Sequence, residues 1–222
     1  MASVQIYAGK SYWYDKLDPV WSDARDFNRS DNVYSEPPFG VGITYDGRDY
    51  IFFRIYLSFN LGVIPNGSTI NDIRLYLKRE DSIKQPYSPK IAYAGSIPVD
   101  GLDSEFPLYI SNTSRGESLA TITINDDSQY YSSGLFNLLT YPVSPGDSLS
   151  IGIIDTYDFN NTVNSFSDLY QISNSSGYEP YIEVNYSAGG GGYPNNVIGV
   201  SSANISSVHG VLSANISKIN VI

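Results

Sequence analysis

From Ile51 to Leu61 every odd position is apolar: Ile51, Phe53, Ile55, Leu57, Phe59 and Leu61. The even positions Arg54, Tyr56, Ser58 and Asn60 are polar or amphipathic, with Phe52 the exception. Side chains on a strand alternate between faces, so the stretch predicts a long strand with one buried face. Val63-Ile64-Pro65-Asn66-Gly67-Ser68 then reads as a turn, because proline cannot donate to a ladder and Asn-Gly accepts positive φ. A second strand follows, with Ile73, Leu75 and Leu77 pointing in and Asp72, Arg74, Tyr76 and Lys78 pointing out. Each large apolar side chain gains roughly 1.5–3 kcal/mol on burial, enough for these two strands to nucleate one face of a sandwich.

The same alternation recurs along the chain. Val4 and Ile6 face inward on a short first strand. Ile91-Ala-Tyr93-Ala, Pro107-Leu-Tyr-Ile110 and Ala120-Thr-Ile122-Thr-Ile124 are further strand candidates, and Gly134 to Leu139 reads as either a strand or a short helix. Leu149, Ile151 and Ile153 mark another strand, and Ile182, Val184 and Tyr186 the last. Turn signals separate these segments and no long helical period appears, which predicts an all-β sandwich over residues 1–187. Residues 8–49 read as irregular and contain Tyr12-Trp13-Tyr14, Trp21, Pro37-Pro38 and Gly40-Val-Gly42. Long ordered connections are often functional. The plainer reading has both tryptophans capping the end of the sandwich. The sharper one makes Tyr12, Trp13, Tyr14 and Trp21 a platform on which the apolar face of a sugar ring stacks.

After the sandwich the text changes. Ala188 and the run Gly189 to Gly192 open a flexible linker, 188–194. In 195–222 an 11-residue unit recurs: Val197 to Ser207, Val208 to Lys218, and a third begun at Ile219. Gly, Val, Ser, Ala-Asn, Ile and Ser return in register, which makes this a repeat. It is too short to fold alone, and its apolar positions are an aggregation hazard if exposed. Val197, Val200, Ile205, Val208, Val211, Ile216, Ile219 and Ile222 are therefore expected to be buried against copies of themselves or a partner, as an oligomerisation or anchoring segment. An 11-residue period also fits a right-handed helical supercoil. Gly199, Gly210 and the β-branched residues oppose helix and favour a threefold β-type or extended stalk. A peptide laid into another protein's groove is the third option.

Two stretches carry resemblances. Arg54-Ile-Tyr-Leu57-Ser-Phe59-Asn-Leu61, Ile64-Pro-Asn-Gly-Ser-Thr-Ile70 and Leu75-Tyr76-Leu77 resemble the centre of DNRLRE-type jelly rolls, which are β-sandwich modules related to carbohydrate-binding modules. Tyr178-Glu-Pro180-Tyr-Ile182-Glu-Val184-Asn-Tyr186 resembles the last strand of the same family. The resemblance implies a jelly roll over most of residues 4–187. The tail, with Asn-Ile-Ser-Lys-Ile-Asn-Val and Val-His-Gly-Val, resembles low-complexity segments near the ends of tailed-phage structural and fibre proteins.

Composition narrows the chemistry. The net charge is −10; residues 1–187 hold all 23 acidic and 12 of the 13 basic side chains, and the tail has Lys218 alone. Such a surface repels phosphates, so no nucleic-acid partner is expected. Cysteine is absent, which removes disulfides and thiolate metal sites. The sole histidine, His209, aligns with Ile198 of the preceding repeat, so no Ser-His-Asp or Cys-His machinery and no His-ligated zinc is expected. Asp126, Asp127, Asp155 and Asp158 are candidates for paired carboxylates, with turn and surface roles the simpler reading. Asp155 and Asp158 are also the best stretch for a Ca²⁺ site; no other cofactor is expected. The N-terminus predicts no signal peptide and no segment predicts membrane insertion. The sequons at Asn66, Asn112 and Asn204 then read as by-products of composition. The expectation is a non-enzymatic virion protein made in the host cytoplasm: a fibre, tail or capsid-decorating component. It would be a homotrimer or be attached to other virion proteins through its tail. The alternative is a carbohydrate-binding adhesin module contacting host surface glycans.

Overall fold

In the computed structural model, residues 1–20, 32–81, 85–94, 118–139, 142–160, 162, 168–187, 207–208 and 211–212 are described. The elements in order are β1 (Ala2–Tyr7), β2 (Lys10–Asp18), β3 (Asn32–Tyr34), β4 (Phe39–Tyr45), β5 (Tyr50–Asn60), β6 (Thr69–Lys78) and β7 (Lys90–Tyr93). Then come β8 (Ala120–Thr121), β9 (Tyr130–Ser132), β10 (Ser148–Ile154), a single helical turn α1 (Thr156–Asn160), β11 (Asp168–Ile172) and β12 (Tyr181–Ser187). β13 (Ser207–Val208) pairs antiparallel with β14 (Val211–Leu212).

Two antiparallel sheets form the sandwich. One runs β1-β12-β6-β9; the other runs β11-β4-β5-β10-β7-β8, with β2 along β5 and β3 on β2. The chain passes from sheet to sheet as it goes from β5 to β6, to β7, to β9 and to β10. β5 is the central strand. β2 follows one of its edges from Tyr50 to Ser58; β4 and then β10 share the other. Between the sheets lie Ile55, Leu57 and Phe59 of β5, Ile73, Leu75 and Leu77 of β6, Ile151 and Ile153 of β10, and Ile182 and Val184 of β12, all fully buried. Ile6 joins this core, with Val4 and Tyr186 half-buried against it. The turn after β5 forms as its residues dictate: the Asn60 side chain accepts the Gly62 N–H at 2.8 Å, and Gly67 takes φ 79°.

Three expectations change. Residues 8–49 are largely ordered as β2, β3 and β4 wherever they are described. Their alternation is hidden by aromatic and charged residues on both sides of β2 and by glycines in β4. Gly134 to Leu139 is neither strand nor helix; it runs extended beside β6, with the Phe136 N–H donating to the Ile73 carbonyl at 3.0 Å. The even face of β5 does not face water either. Phe52, Arg54 and Tyr56 are fully buried there. Tyr56 packs with Ala92, Ala94 and Ile154, and with Phe159 of α1; Phe52 packs with Ile43. A second, thinner layer therefore covers the outside of the larger sheet.

Pro107 to Ile110, Asn112, Trp21, and the tail positions Val197, Val200, Ile205, Ile216, Ile219 and Ile222 lie outside the described residues. Where the first repeat meets the second, Val208 stands opposite Val211 and Ser207 opposite Leu212 in an antiparallel pair, so these positions are strand and not helix. No helix among the described residues is long and apolar enough to cross a membrane.

Candidate functional site

The outer layer carries the chemistry. β10 ends at Ile154, and Asp155 opens the turn into α1, its Oδ1 accepting the Tyr157 N–H at 2.7 Å. Three residues on, almost one helical turn, Asp158 is directed onto the outer face of β5. There it receives Arg54 Nε at 2.6 Å and Nη2 at 2.8 Å, a bidentate ion pair buried on both sides. The pair explains why an arginine can sit fully buried in the middle of a strand. It also ties α1 to the sheet.

Asp155 has no such counter-ion. It is 4 % exposed, and its pKa rises from 3.8 to about 6. Burial is the main cause; the Asp158 charge adds to it and the Tyr157 N–H opposes it. Tyr87 lies beside it. That ring is buried, its hydroxyl has no hydrogen-bond partner among the described residues, and burial followed by the Asp155 charge pushes its pKa well above 10. The phenol and the carboxyl are close enough to feel each other without forming a well-made hydrogen bond. Tyr87 stacks on Tyr170 at 3.7 Å, and the Arg79 guanidinium lies 4.6 Å over the Tyr170 ring. Arg79 is itself held by Asp81 at 2.6 Å and by the Gln85 carbonyl at 2.7 Å. This stack makes one rigid wall.

The tyrosine stack and Asp155 border a cleft of about 470 Å³. Asp155, Tyr87 and Tyr170 lie along it with Gln85, Ser88, Tyr157 and Asn160. The Thr156 hydroxyl donates to the Ser88 carbonyl and joins the two sides. Its volume is in the range of small-ligand sites, roughly 300–1,000 Å³.

The aromatic residues singled out in the sequence are distributed differently. Tyr12 and Trp13 are neighbours on β2, so they point to opposite faces. Tyr12 packs on the outer layer with Tyr56, and Trp13 packs against the main core. Nothing is described for the Tyr14 side chain, and Trp21 lies outside the described residues. Trp13 stacks on Tyr34 at 4.1 Å and tilts against Phe53 at 5.6 Å, with Gly40 close to its six-membered ring. It borders a second, smaller cleft of about 280 Å³ with Tyr34, Glu36, Pro37, Pro38 and Gln171. The stacking on Tyr34 occupies ring surface that a sugar would need.

The remaining carboxylates are dispersed. Asp126 Oδ1 accepts from the Ser128 hydroxyl and N–H and the Tyr131 hydroxyl, which together hold its pKa low, and Asp127 is exposed. Among the described residues no group of three acidic or histidine side chains is placed to hold a metal ion. A cation at Asp155 and Asp158 would have to compete with the Arg54 guanidinium for both Asp158 oxygens. Arg54, Tyr87 and Tyr170 were missed in the sequence. The available signal was that β5 has Phe52 and Tyr56 flanking Arg54, an even face too apolar to lie in water.

Compared with known proteins, the chain matches no family model and no curated protein.

Proposed function

We propose that this chain is a non-enzymatic structural component of a tailed-phage particle, a fibre, tail or decoration protein. The jelly roll is displayed and the 11-residue repeats trimerise it or attach it to other virion proteins. The observation that carries this is the in-register return of Val, Gly, Ser, Ala-Asn, Ile and Ser between Val197–Ser207 and Val208–Lys218, almost without charge. A short apolar repeat closes its surface most simply by symmetry. The strand pairing of Val208 with Val211 favours the β-type stalk over the helical one. The sandwich has its own core, and β12 leads straight into the glycine linker, so display and assembly are separable tasks. Deleting 189–222 is expected to leave a folded monomer where the full chain is a trimer, as read by light scattering. A truncated protein that keeps the full-length oligomeric state would remove the tail from the assembly role.

A second reading, compatible with the first, is an adhesin module that contacts host surface glycans. It is favoured by the hydroxyl- and amide-bordered cleft at Asp155, whose groups suit a ligand made of hydroxyls.

A further inference from the structure

We infer that the cleft between Tyr87, Asp155 and Tyr157 is a binding site for a neutral, polyhydroxylated sugar. The inference rests on the adhesin reading and assigns it a site that the tryptophans do not occupy.

One built group in the cleft lacks a well-made partner, and it lies beside a buried carboxylate. The Asp155 carboxylate takes the Tyr157 N–H on Oδ1, is favoured further by the Asp158 N–H and the neighbouring Tyr87 hydroxyl, and lines the cleft without a cationic partner. The Tyr87 hydroxyl, in a residue 6 % exposed, has no well-made hydrogen bond among the described residues. Buried polar groups are nearly always satisfied, so an unpaired phenol beside a carboxylate at a cleft wall calls for a ligand or water that pairs with it. A pair of vicinal hydroxyls does so: one accepts from the phenol and the other donates to the Asp155 carboxylate. Gln85 and Asn160 add amides that donate and accept in turn. Tyr157 is 44 % exposed at the rim and offers an apolar ring to the C–H face of a sugar.

Charge selects among sugars. Among the described residues no lysine or arginine borders the cleft, and the guanidinium of Arg79 lies over Tyr170 and is engaged by Asp81. Asp155 and a chain of net charge −10 therefore repel phosphorylated, sulfated or uronic glycans. The Arg54–Asp158 pair does not bind the ligand. It positions α1, and so Asp155 and Tyr157, against the sheet.

The test uses the full-length protein on a printed array holding neutral, acidic and amino-sugar oligosaccharides, followed by calorimetry with the best neutral binder. Asp155→Asn and Tyr157→Ala are each expected to weaken binding by tenfold or more. Melting curves of both variants would show that the fold is kept. Binding that survives both substitutions overturns the site, as does a preference for acidic or amino sugars. Loss on Trp13→Ala instead would put the ligand in the smaller cleft and overturn the assignment equally. If the array captures nothing, the site and the adhesin reading both fall, while the mass of the truncated protein judges the assembly role independently.

Discussion

Asp155 is predicted to destabilise the protein in which it sits. In the folded chain its carboxyl keeps a proton up to about pH 6, against an ordinary value of 3.8. Protonation therefore favours the folded state: the benefit is complete below about pH 4 and is lost as pH rises through about 6. Moving from 3.8 to about 6, at 1.36 kcal/mol per pH unit, amounts to about 3 kcal/mol at pH 8. Asp155→Asn removes the charge and keeps an oxygen for the Tyr157 N–H, now at 2.7 Å. The variant should be more stable than the parent by up to about 3 kcal/mol at pH 8, with the gap closing towards pH 4. Asp46 and Asp126, whose pKa values are lowered by hydrogen bonds, lose their contribution only at more acid pH and are common to both proteins. The difference between parent and variant thus isolates one carboxyl. Urea unfolding followed by tryptophan fluorescence at pH 4.5, 6 and 8 measures it. A variant less stable at pH 8, or a gap that does not change with pH, would refute the argument. A substitution that stabilises the fold while weakening sugar binding is the pattern expected of a group kept for function.

Cutting the buried ion pair on one side, with Arg54→Met or Asp158→Leu, should cost about 3–5 kcal/mol in unfolding free energy, because the surviving charge is left uncompensated. The double variant should recover much of that loss; a double-variant loss equal to the sum of the two single losses would mean that the pair is not coupled. Gly40→Ala places a methyl 3.0 Å from Trp13 Cε3 and 3.2 Å from Leu169 Cδ1, so it should cost about 1–3 kcal/mol and shift the tryptophan emission. An unchanged spectrum and melting temperature would contradict the packing of Trp13. Leu75→Ala, at a fully buried position of β6, should lose about 2–5 kcal/mol by chemical denaturation, and a cost below 1 kcal/mol would place it outside the core.

The cleft shows where local pattern stops being informative. Arg54 occupies a polar position of an alternating strand, and alternation alone assigns it to water. Its partner lies 104 residues away, on a helical turn too short to leave a period in the sequence. Asp155 and Asp158 stood out as neighbouring acids, yet their spacing could not tell that one is neutralised by an arginine and the other left with a raised pKa. Tyr87, between Pro86 and Ser88, gave no sign that it would stack on Tyr170 of β11.

By itself the chain determined which side chains meet in the main core. One buried face leaves a period-two record, and Ile55, Leu57 and Phe59 facing Ile73, Leu75 and Leu77 could be read from that record. The glycine run and the repeat beyond it are likewise written in adjacent residues. Only the tertiary structure decided that the other side of β5 is covered as well, that β2 splits Tyr12 from Trp13, and that Asp155 ends beside an unsatisfied phenol. Those outcomes depend on which distant segment lies across a face, and burial of that kind shifts charge and pairing without changing the local pattern.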